Sequence, residues 1–202
     1  MKYLALGDSY TIGELVAAKD NFPHQLAGIL KKTFDDLKPP KIIAKTGWTS
    51  EELYQAVKAE KPENDFDIVT LLIGVNDQYR GLSIEQYEQY FLKLLLRAIL
   101  SARGQSRRVF VLSIPDWGMT PFAQKEGKNP ASIAAGIDAF NKKNKLIALA
   151  YRCHYIDITT MSREQGNDNS FLAEDLLHYS AKAYEEWAEK AGHVAVSVIK
   201  GL

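Results

Sequence analysis

The chain has little of what marks disulfide-rich, membrane or nucleic-acid-binding proteins. Its single cysteine, Cys153, cannot form an internal disulfide. The longest apolar stretch, residues 91–100, is interrupted by Lys93 and Arg97 and is far shorter than the roughly 20 residues that a membrane span needs. Lysine and arginine total 25, as do aspartate and glutamate, so there is no excess of basic residues. We therefore expect neither a membrane span nor a nucleic-acid partner.

The sequence also lacks a secretory leader and a metal-ligand cluster. Met1 and Lys2 run directly into an apolar strand, which favours a cytoplasmic protein, although a leader removed from the mature chain would leave the same start. The four histidines are scattered, and the cysteine has no partner at a metal-ligand spacing. For His24, His154 and His193 we expect structural or surface roles. We expect no metal ion and no cofactor.

Short apolar runs alternate with longer segments of helical period, a pattern typical of a parallel sheet covered on both faces. The length of 202 residues and 46% hydrophobic content fit one domain over residues 1–202, and there is no repeat or linker. The predicted strands are Lys2–Leu6, Lys41–Lys45, Ile68–Ile73, Val109–Ile114 and Tyr155–Ile158. The predicted helices are Phe22–Leu37, Ser50–Glu60, Ile84–Arg103, Ile133–Tyr151 and Ala181–Ile199. The predicted fold is α/β, a flavodoxin-like three-layer α/β/α sandwich with a five-stranded parallel sheet.

Ligands of such sheets bind at the carboxyl ends of the strands, so the segments that follow the strands are the ones of interest. The first strand leads into Gly7-Asp8-Ser9, the second into Gly47, and the third into Gly74-Val75-Asn76-Asp77. These segments are expected to meet at one edge of the sheet. We predict that residues 115–131 form a loop over the same edge, either as a lid or as a wall of the substrate site.

Ser9 and the Asp175/His178 pair could form a nucleophilic site. A serine hydroxyl is a poor nucleophile unless a base takes its proton and donors stabilise the oxyanion. Asp175 lies three residues before His178, close enough to orient the imidazole as a general base. Each feature also has an ordinary interpretation: Ser9 could simply cap a helix, and Asp175 and His178 could be solvent-exposed loop residues.

Gly47 and Asn76 are candidate oxyanion donors, together with the backbone N–H of Ser9. Gly47 can present its own N–H where a side chain would block substrate, and Asn76 can present its side-chain amide. Taken singly, Gly47 could be a turn glycine and Asn76 an Asx-turn residue. Their positions at neighbouring strand ends favour a shared function.

These motifs resemble those of the SGNH hydrolases, the GDSL esterase/lipase family. Four blocks agree in order over nearly the whole chain: Gly7-Asp8-Ser9-Tyr10-Thr11, Gly47, Gly74-Val75-Asn76-Asp77 and Asp175-Leu176-Leu177-His178. The resemblance implies ester hydrolysis without cofactor, with Ser9 as nucleophile, His178 as base, Asp175 orienting it, and Ser9, Gly47 and Asn76 forming the oxyanion hole. The G-x-S-x-G elbow of the α/β-hydrolases is absent.

The substrate is expected to be a small-molecule ester, with a short acyl group or a lysophospholipid-like structure. Tyr10, which stands where the family name has leucine, is expected to affect substrate fit. Other aromatic residues could wall an acyl pocket or fill the core: Trp48, Tyr79, Trp117, Phe122 and Tyr179. Two alternatives remain, acyl transfer from the same site and a non-catalytic module that binds phosphate at Ser9, Tyr10 and Thr11. Nothing in the sequence indicates an oligomeric state.

Overall fold

The computed structural model describes residues 1–201 and contains the predicted five-stranded parallel sheet. The strand order is β2-β1-β3-β4-β5, so the chain reverses its direction of winding between β1 and β3. The strands are β1 (Tyr3–Gly7), β2 (Lys41–Ala44), β3 (Ile68–Leu72), β4 (Val109–Leu112) and β5 (His154–Ile156). All residues of β1, β3 and β4 are buried, as expected for central strands covered on both faces. The predicted fold class is confirmed.

Nine helices connect or follow the strands within residues 1–201. They are α1 (Ser9–Ile12), α2 (Phe22–Lys31), α3 (Ser50–Glu60), α4 (Val75–Tyr79), α5 (Ile84–Ser101), α6 (Pro121–Lys125), α7 (Pro130–Ala150), α8 (Thr159–Gln165) and α9 (Ala181–Lys200). Helix α2 packs against α9, while α3 packs against α5 and α5 against α7. With right-handed crossovers, α2 and α9 cover one face of the sheet and α3, α5 and α7 cover the other. None of these helices is both long and apolar enough to span a bilayer.

The segment predicted as a loop over residues 115–131 is largely structured. It contains a 3₁₀ turn at Trp117–Met119, the whole of α6 and the first turn of α7. Asp116 Oδ1 accepts a hydrogen bond from Gly118 N at 2.9 Å, and Thr120 caps α6. Buried Asp116 is also paired with Arg163, with 2.8 Å between Oδ2 and Nε. Local caps and the ion pair of buried Asp116 with partly exposed Arg163 therefore hold the segment as a fixed wall.

Helix α8 was not predicted, because its buried face is polar. The buried side chains of this helix are Thr159, Ser162 and Gln165, which give no apolar period. Ser162 Oγ donates to Thr159 O and accepts from Asp116 N, while Gln165 Nε2 donates to Glu186. Hydrogen bonds to neighbouring segments therefore stabilise this helix where a hydrophobic stripe is absent.

Two buried carboxyl groups follow the central strands. Asp8 caps α1, and its Oδ1 accepts a hydrogen bond from Tyr10 N at 3.0 Å, but its buried Oδ2 has no partner within residues 1–201. Burial raises the pKa of Asp8 to about 8 against the lowering effect of the Tyr10 N–H, and the nearby Asp77 contributes to the rise. Asp77 accepts hydrogen bonds from the backbone N and the hydroxyl of Ser50 at 2.8 and 2.5 Å. Burial raises the pKa of Asp77 as well.

Asp8 is expected to make the protein less stable as pH rises. Its unfolded-state pKa is near 4, so between about pH 4 and 8 the folded chain keeps a proton that the unfolded chain has lost, and the free energy of unfolding falls. An Asp8→Asn substitution keeps the acceptor for Tyr10 N but cannot ionise. Urea unfolding at pH 5 and pH 8 measures this effect. The free energy of unfolding of Asp8→Asn, relative to that of wild type, should be higher at pH 8 than at pH 5. A difference that does not change with pH would contradict a raised pKa.

Candidate active site

A cavity of about 120 Å³ lies at the carboxyl ends of β1 and β3, where the winding of the sheet reverses. It contains the predicted nucleophile and base and all three predicted oxyanion residues, Ser9, Gly47 and Asn76, whereas Asp175 is not in its lining. Its lining consists of Ser9, Tyr10, Thr46, Gly47, Val75, Asn76, Tyr79, Trp117, Leu177 and His178. Segments far apart in the sequence therefore meet at one small, mostly apolar site.

Ser9 is positioned by a tight turn between β1 and α1. A Cβ on Gly7 would lie 2.6 Å from Leu72 O and closer still to the Thr11 side chain, so only glycine allows the chain to pass there. Ser9 is the first residue of α1, and its carbonyl oxygen accepts hydrogen bonds from Gly13 N and Glu14 N. The residue is only 4% exposed and lines the cavity. Substrate can therefore reach it only through that cavity.

Gly47 lies in the turn after β2 with a φ of 83°, a conformation that favours glycine. Arg80 Nη2 donates a hydrogen bond to Gly47 O at 2.5 Å, and Arg80 Nη1 lies 3.4 Å from Glu52 Oε2. The Thr46 hydroxyl donates to Glu14 on the other side of the turn. Side chains from three other segments thus hold a turn that has no regular structure of its own.

Asn76 is the second residue of α4, the short helix after β3. Its Nδ2 donates a hydrogen bond to Trp48 O at 3.0 Å, which leaves the second amide hydrogen available. Gly74 precedes it with a φ of 130°, and a Cβ there would meet the side chains of Ile114 and Tyr87 at 2.6 and 2.7 Å. Asn76 and Arg80 therefore both link the segment after β3 to the Gly47 turn.

The Asp175 carboxylate organises the loop that carries His178. Its Oδ1 accepts from the backbone N of Leu177 and of His178 at 3.0 and 2.9 Å, and its Oδ2 lies 2.6 Å from His178 Nδ1. Partial burial by itself raises the pKa of Asp175, but the hydrogen bonds from His178 and Leu177 outweigh it and leave this pKa below its ordinary value. An ionised carboxylate can only accept, so Nδ1 carries a proton, and in the neutral imidazole the lone pair is on Nε2.

Packing behind His178 holds the imidazole in place. The ring of Tyr10 lies 5.7 Å from that of His178 and 5.6 Å from that of Tyr179, which packs in the core 4.7 Å from Trp187. Within residues 1–201 no hydrogen bond joins Ser9 Oγ to His178, although both side chains border the same cavity. Such contacts are often long before substrate binds.

The aromatic residues predicted to wall a substrate site separate into two groups. Tyr10, Tyr79 and Trp117 line the cavity, and Tyr79 meets Trp117 edge-on at 5.2 Å. The other three are outside its lining: Trp48 and Phe122 are half-buried against the core, and Tyr179 is fully buried. For Tyr179 this is a correction, since it fills the core beside Trp187. Thr46, Val75 and Leu177 were not predicted, although each adjoins a motif residue in the sequence.

A larger hollow of about 320 Å³ at the carboxyl ends of β4 and β5 offers no comparable chemistry. The hydroxyl groups at its floor are engaged with one another: Thr159 Oγ1 donates to Ser113 Oγ at 2.7 Å, and Ser113 Oγ also accepts from Ile158 N. It contains no histidine. In the part of the chain that the structure describes, no three His, Cys, Asp or Glu side chains are grouped to hold a metal ion.

Several solved structures share this fold. TesA is 17% identical with a TM-score of 0.77, covering 98% of this chain and 99% of that one. The esterase EstA from Pseudoalteromonas sp. is 14% identical with a TM-score of 0.74, covering 98% of both chains. A lipase/acylhydrolase from Enterococcus faecalis is 23% identical with a TM-score of 0.65, covering 100% of this chain and 96% of that one.

At these identities the likeness shows the fold alone. A search of curated proteins found no significant match. The sequence model of the GDSL-like Lipase/Acylhydrolase family, however, matches residues 5–186 and confirms the resemblance inferred from the motifs. The protein therefore belongs to the GDSL-like lipase/acylhydrolase family and is a hydrolase that acts on ester bonds.

Proposed function

We propose that the protein hydrolyses esters of short carboxylic acids through an acyl-enzyme on Ser9. The observation that carries the proposal is the 2.6 Å contact between Asp175 Oδ2 and His178 Nδ1, on a loop whose imidazole borders the same cavity as Ser9. The geometry leaves Nε2 free to face substrate. A histidine oriented by a carboxylate beside a serine is the arrangement that activates a hydroxyl nucleophile.

In the first half-reaction, Ser9 Oγ attacks the ester carbonyl carbon and its proton passes to His178 Nε2. The new oxyanion accepts hydrogen bonds from the N–H groups of Ser9 and Gly47 and from the free amide hydrogen of Asn76. The tetrahedral intermediate then expels the alcohol, whose oxygen takes the proton from His178. In the second half-reaction, His178 takes a proton from water while the water oxygen attacks the acyl carbonyl carbon. The bond between Ser9 Oγ and that carbon then breaks, the carboxylic acid leaves, and His178 returns the proton to Ser9 Oγ.

The preference for short acyl groups rests on the size and lining of the cavity. Its volume of about 120 Å³ lies well below the roughly 300–1,000 Å³ typical of pockets that enclose drug-sized ligands. Val75, Leu177 and the rings of Tyr79 and Trp117 offer apolar contacts to a small acyl chain. The long chain of a lysophospholipid would extend beyond this volume.

The alternative of a phosphate-binding module has less support. Thr11 is 1% exposed and does not line the cavity, so it is not available to a ligand. Helix α1 has only four residues, and the Asp175/His178 pair would have no function in such a module.

Ser9→Ala should lower kcat for p-nitrophenyl acetate by at least about 10³-fold, because the nucleophile is lost while the oxyanion donors remain. Its free energy of unfolding should stay within about 1 kcal/mol of the wild-type value. Initial rates of both proteins on a series from acetate to palmitate would also measure acyl preference, with activity expected to decline as the chain lengthens. Equal activity in the two proteins would contradict the assignment of Ser9.

His178→Ala should cost more activity than Asp175→Asn. The first change removes the base, whereas the second removes only the charge that orients the imidazole. Comparing kcat of the two variants on p-nitrophenyl acetate at several pH values tests this order. His193→Ala, which alters an exposed histidine of α9, is a matched control expected to retain activity. A His178→Ala variant that remained as active as His193→Ala would rule out the proposed base.

Arg80→Ala should lower kcat by roughly tenfold and leave KM nearly unchanged. Arg80 fixes the carbonyl of Gly47, so its loss misorients a donor that is needed when the oxyanion forms. Arg107→Ala removes an exposed arginine remote from the cavity and serves as the control. A roughly tenfold rise in KM with constant kcat would instead assign Arg80 to substrate binding.

A further inference from the structure

A second hollow adjoins the candidate active site on the far side of two aromatic residues. It has a volume of about 210 Å³, and Tyr79 and Trp117 line it as well as the smaller cavity. The remaining residues of its lining are Gln78, Lys128, Asn129, Ser132 and Ile133. Together the two hollows reach the lower end of the volume range of small-molecule sites. Because Tyr79 and Trp117 line both, the outer hollow lies directly beside the cavity that contains Ser9.

The chemistry of the outer hollow differs from that of the inner cavity. The Asn129 side-chain oxygen is occupied by Ala131 N and Ser132 N at 2.9 and 3.2 Å, so its amide hydrogens are the part left for a ligand. Among the described residues 1–201, Lys128 forms no ion pair, and no carboxylate lines the hollow. The groups free to bind are therefore amide and ammonium donors together with the hydroxyl groups of Ser132 and Tyr79, which both donate and accept. They suit a ligand with several hydroxyl or ether oxygens.

Gln78 adds a donor whose orientation is fixed. Trp117 Nε1 can only donate, and it does so to Gln78 Oε1 at 2.8 Å, so the Gln78 amide nitrogen points away from Trp117. A Cβ on Gly136 would lie 2.9 Å from this nitrogen. Glycine inside a helix costs roughly 1 kcal/mol relative to alanine, yet at this position of α7 it leaves room for the amide. Trp117 and Gly136 thus fix the amide orientation of Gln78, a side chain that lines the outer hollow.

Tyr79 presents an aromatic surface beside these donors. Its side chain is 49% exposed, unlike Trp117, which is 4% exposed. An exposed ring next to amide and hydroxyl donors fits a ligand with an apolar C–H face and several oxygen atoms, which is the chemistry of a sugar ring. Lys128 is the single cationic residue in the lining of this hollow, which contains no arginine, so the lining favours a neutral ligand over a strongly anionic one.

We infer that the outer hollow binds the alcohol portion of the substrate and that this portion is a neutral sugar or similar polyol, so that the enzyme removes short acyl groups from acylated carbohydrates. The inference rests on the proposed function, since it assigns the other half of the same ester. The apolar inner cavity holds the acyl group, and the donor-lined outer hollow holds the alcohol.

The test compares kcat/KM for a monoacetylated methyl glucoside with that for p-nitrophenyl acetate, two esters that share an acyl group. Asn129→Asp keeps the oxygen that caps α7 but removes the amide donor. It should lower the glucoside-to-nitrophenyl ratio about two- to tenfold, as expected for one lost hydrogen bond. Asn169→Asp makes the same chemical change at an exposed position outside both hollows and should leave the ratio unchanged.

Gly136→Ala tests the subsite without altering a group that touches the ligand. It should displace the Gln78 amide and lower the same ratio, while the thermal midpoint stays constant or rises, because alanine favours the helix. Gly28→Ala in α2 is its matched control, since a Cβ there meets nothing within 4 Å. A purely structural effect of Gly136→Ala would lower the thermal midpoint and leave the ratio unchanged.

The possible failures are distinct. If Ser9→Ala still hydrolyses p-nitrophenyl acetate, the proposed function itself is wrong. If hydrolysis depends on Ser9 but the glucoside acetate is not cleaved, or if neither Asn129→Asp nor Gly136→Ala changes the ratio, the sugar subsite is wrong and the esterase stands. A shift in acyl-chain preference in these variants would assign the hollow to the acyl chain. Preference for acetylated glycerol phosphate over the glucoside, lost in Lys128→Gln, would assign it to an anionic alcohol.

Discussion

The pairing of β1 between β2 and β3 is the constraint on which the rest of the site depends. Gly7 is opposite Ala44 on one side and Leu72 on the other, so three strands end at the same level of the sheet. Ser9, Gly47 and Asn76 lie only two to four residues beyond these paired ends. A slip of this register would move one segment away from the other two. Closely matched strand ends therefore bring Ser9, Gly47 and Asn76, the proposed nucleophile and two proposed oxyanion donors, to one small cavity.

Hydrogen bonds between the connecting segments then fix the positions of residues that the strands only bring close together. Arg80, Asn76 and Asp77 all extend from the segment after β3 to the segment after β2, where they contact Gly47, Trp48 and Ser50. The loop with His178 is organised separately, by Asp175 and by packing on Tyr10. Preorganised donors are effective because they need no rearrangement as charge develops. Burying Asp8 and Asp77 beside this site costs desolvation, which their raised pKa values reflect.

The sequence predicted the elements that follow a simple period and missed those held by specific polar contacts. The five strands and the five long helices have apolar patterns that identify them. Helix α8 does not, because it buries Thr159, Ser162 and Gln165. The helix predicted over residues 22–37 ends at Lys31, although Leu37 is buried. The segment after β4 was predicted as a loop, yet the ion pair between buried Asp116 and partly exposed Arg163 gives it a fixed structure.

The sequence alone determined the fold class, the family and the residues of the motifs, because periodicity and short motifs are local properties of the chain. Only the tertiary structure decided which aromatic residues border the cavity, since Tyr79 and Tyr179 are both tyrosines next to motifs and differ only in packing. It also decided the tether from Arg80 to Gly47 and the position of Gly136 against Gln78. Those contacts join residues 33 and 58 positions apart, and no local pattern specifies which distant segments will meet.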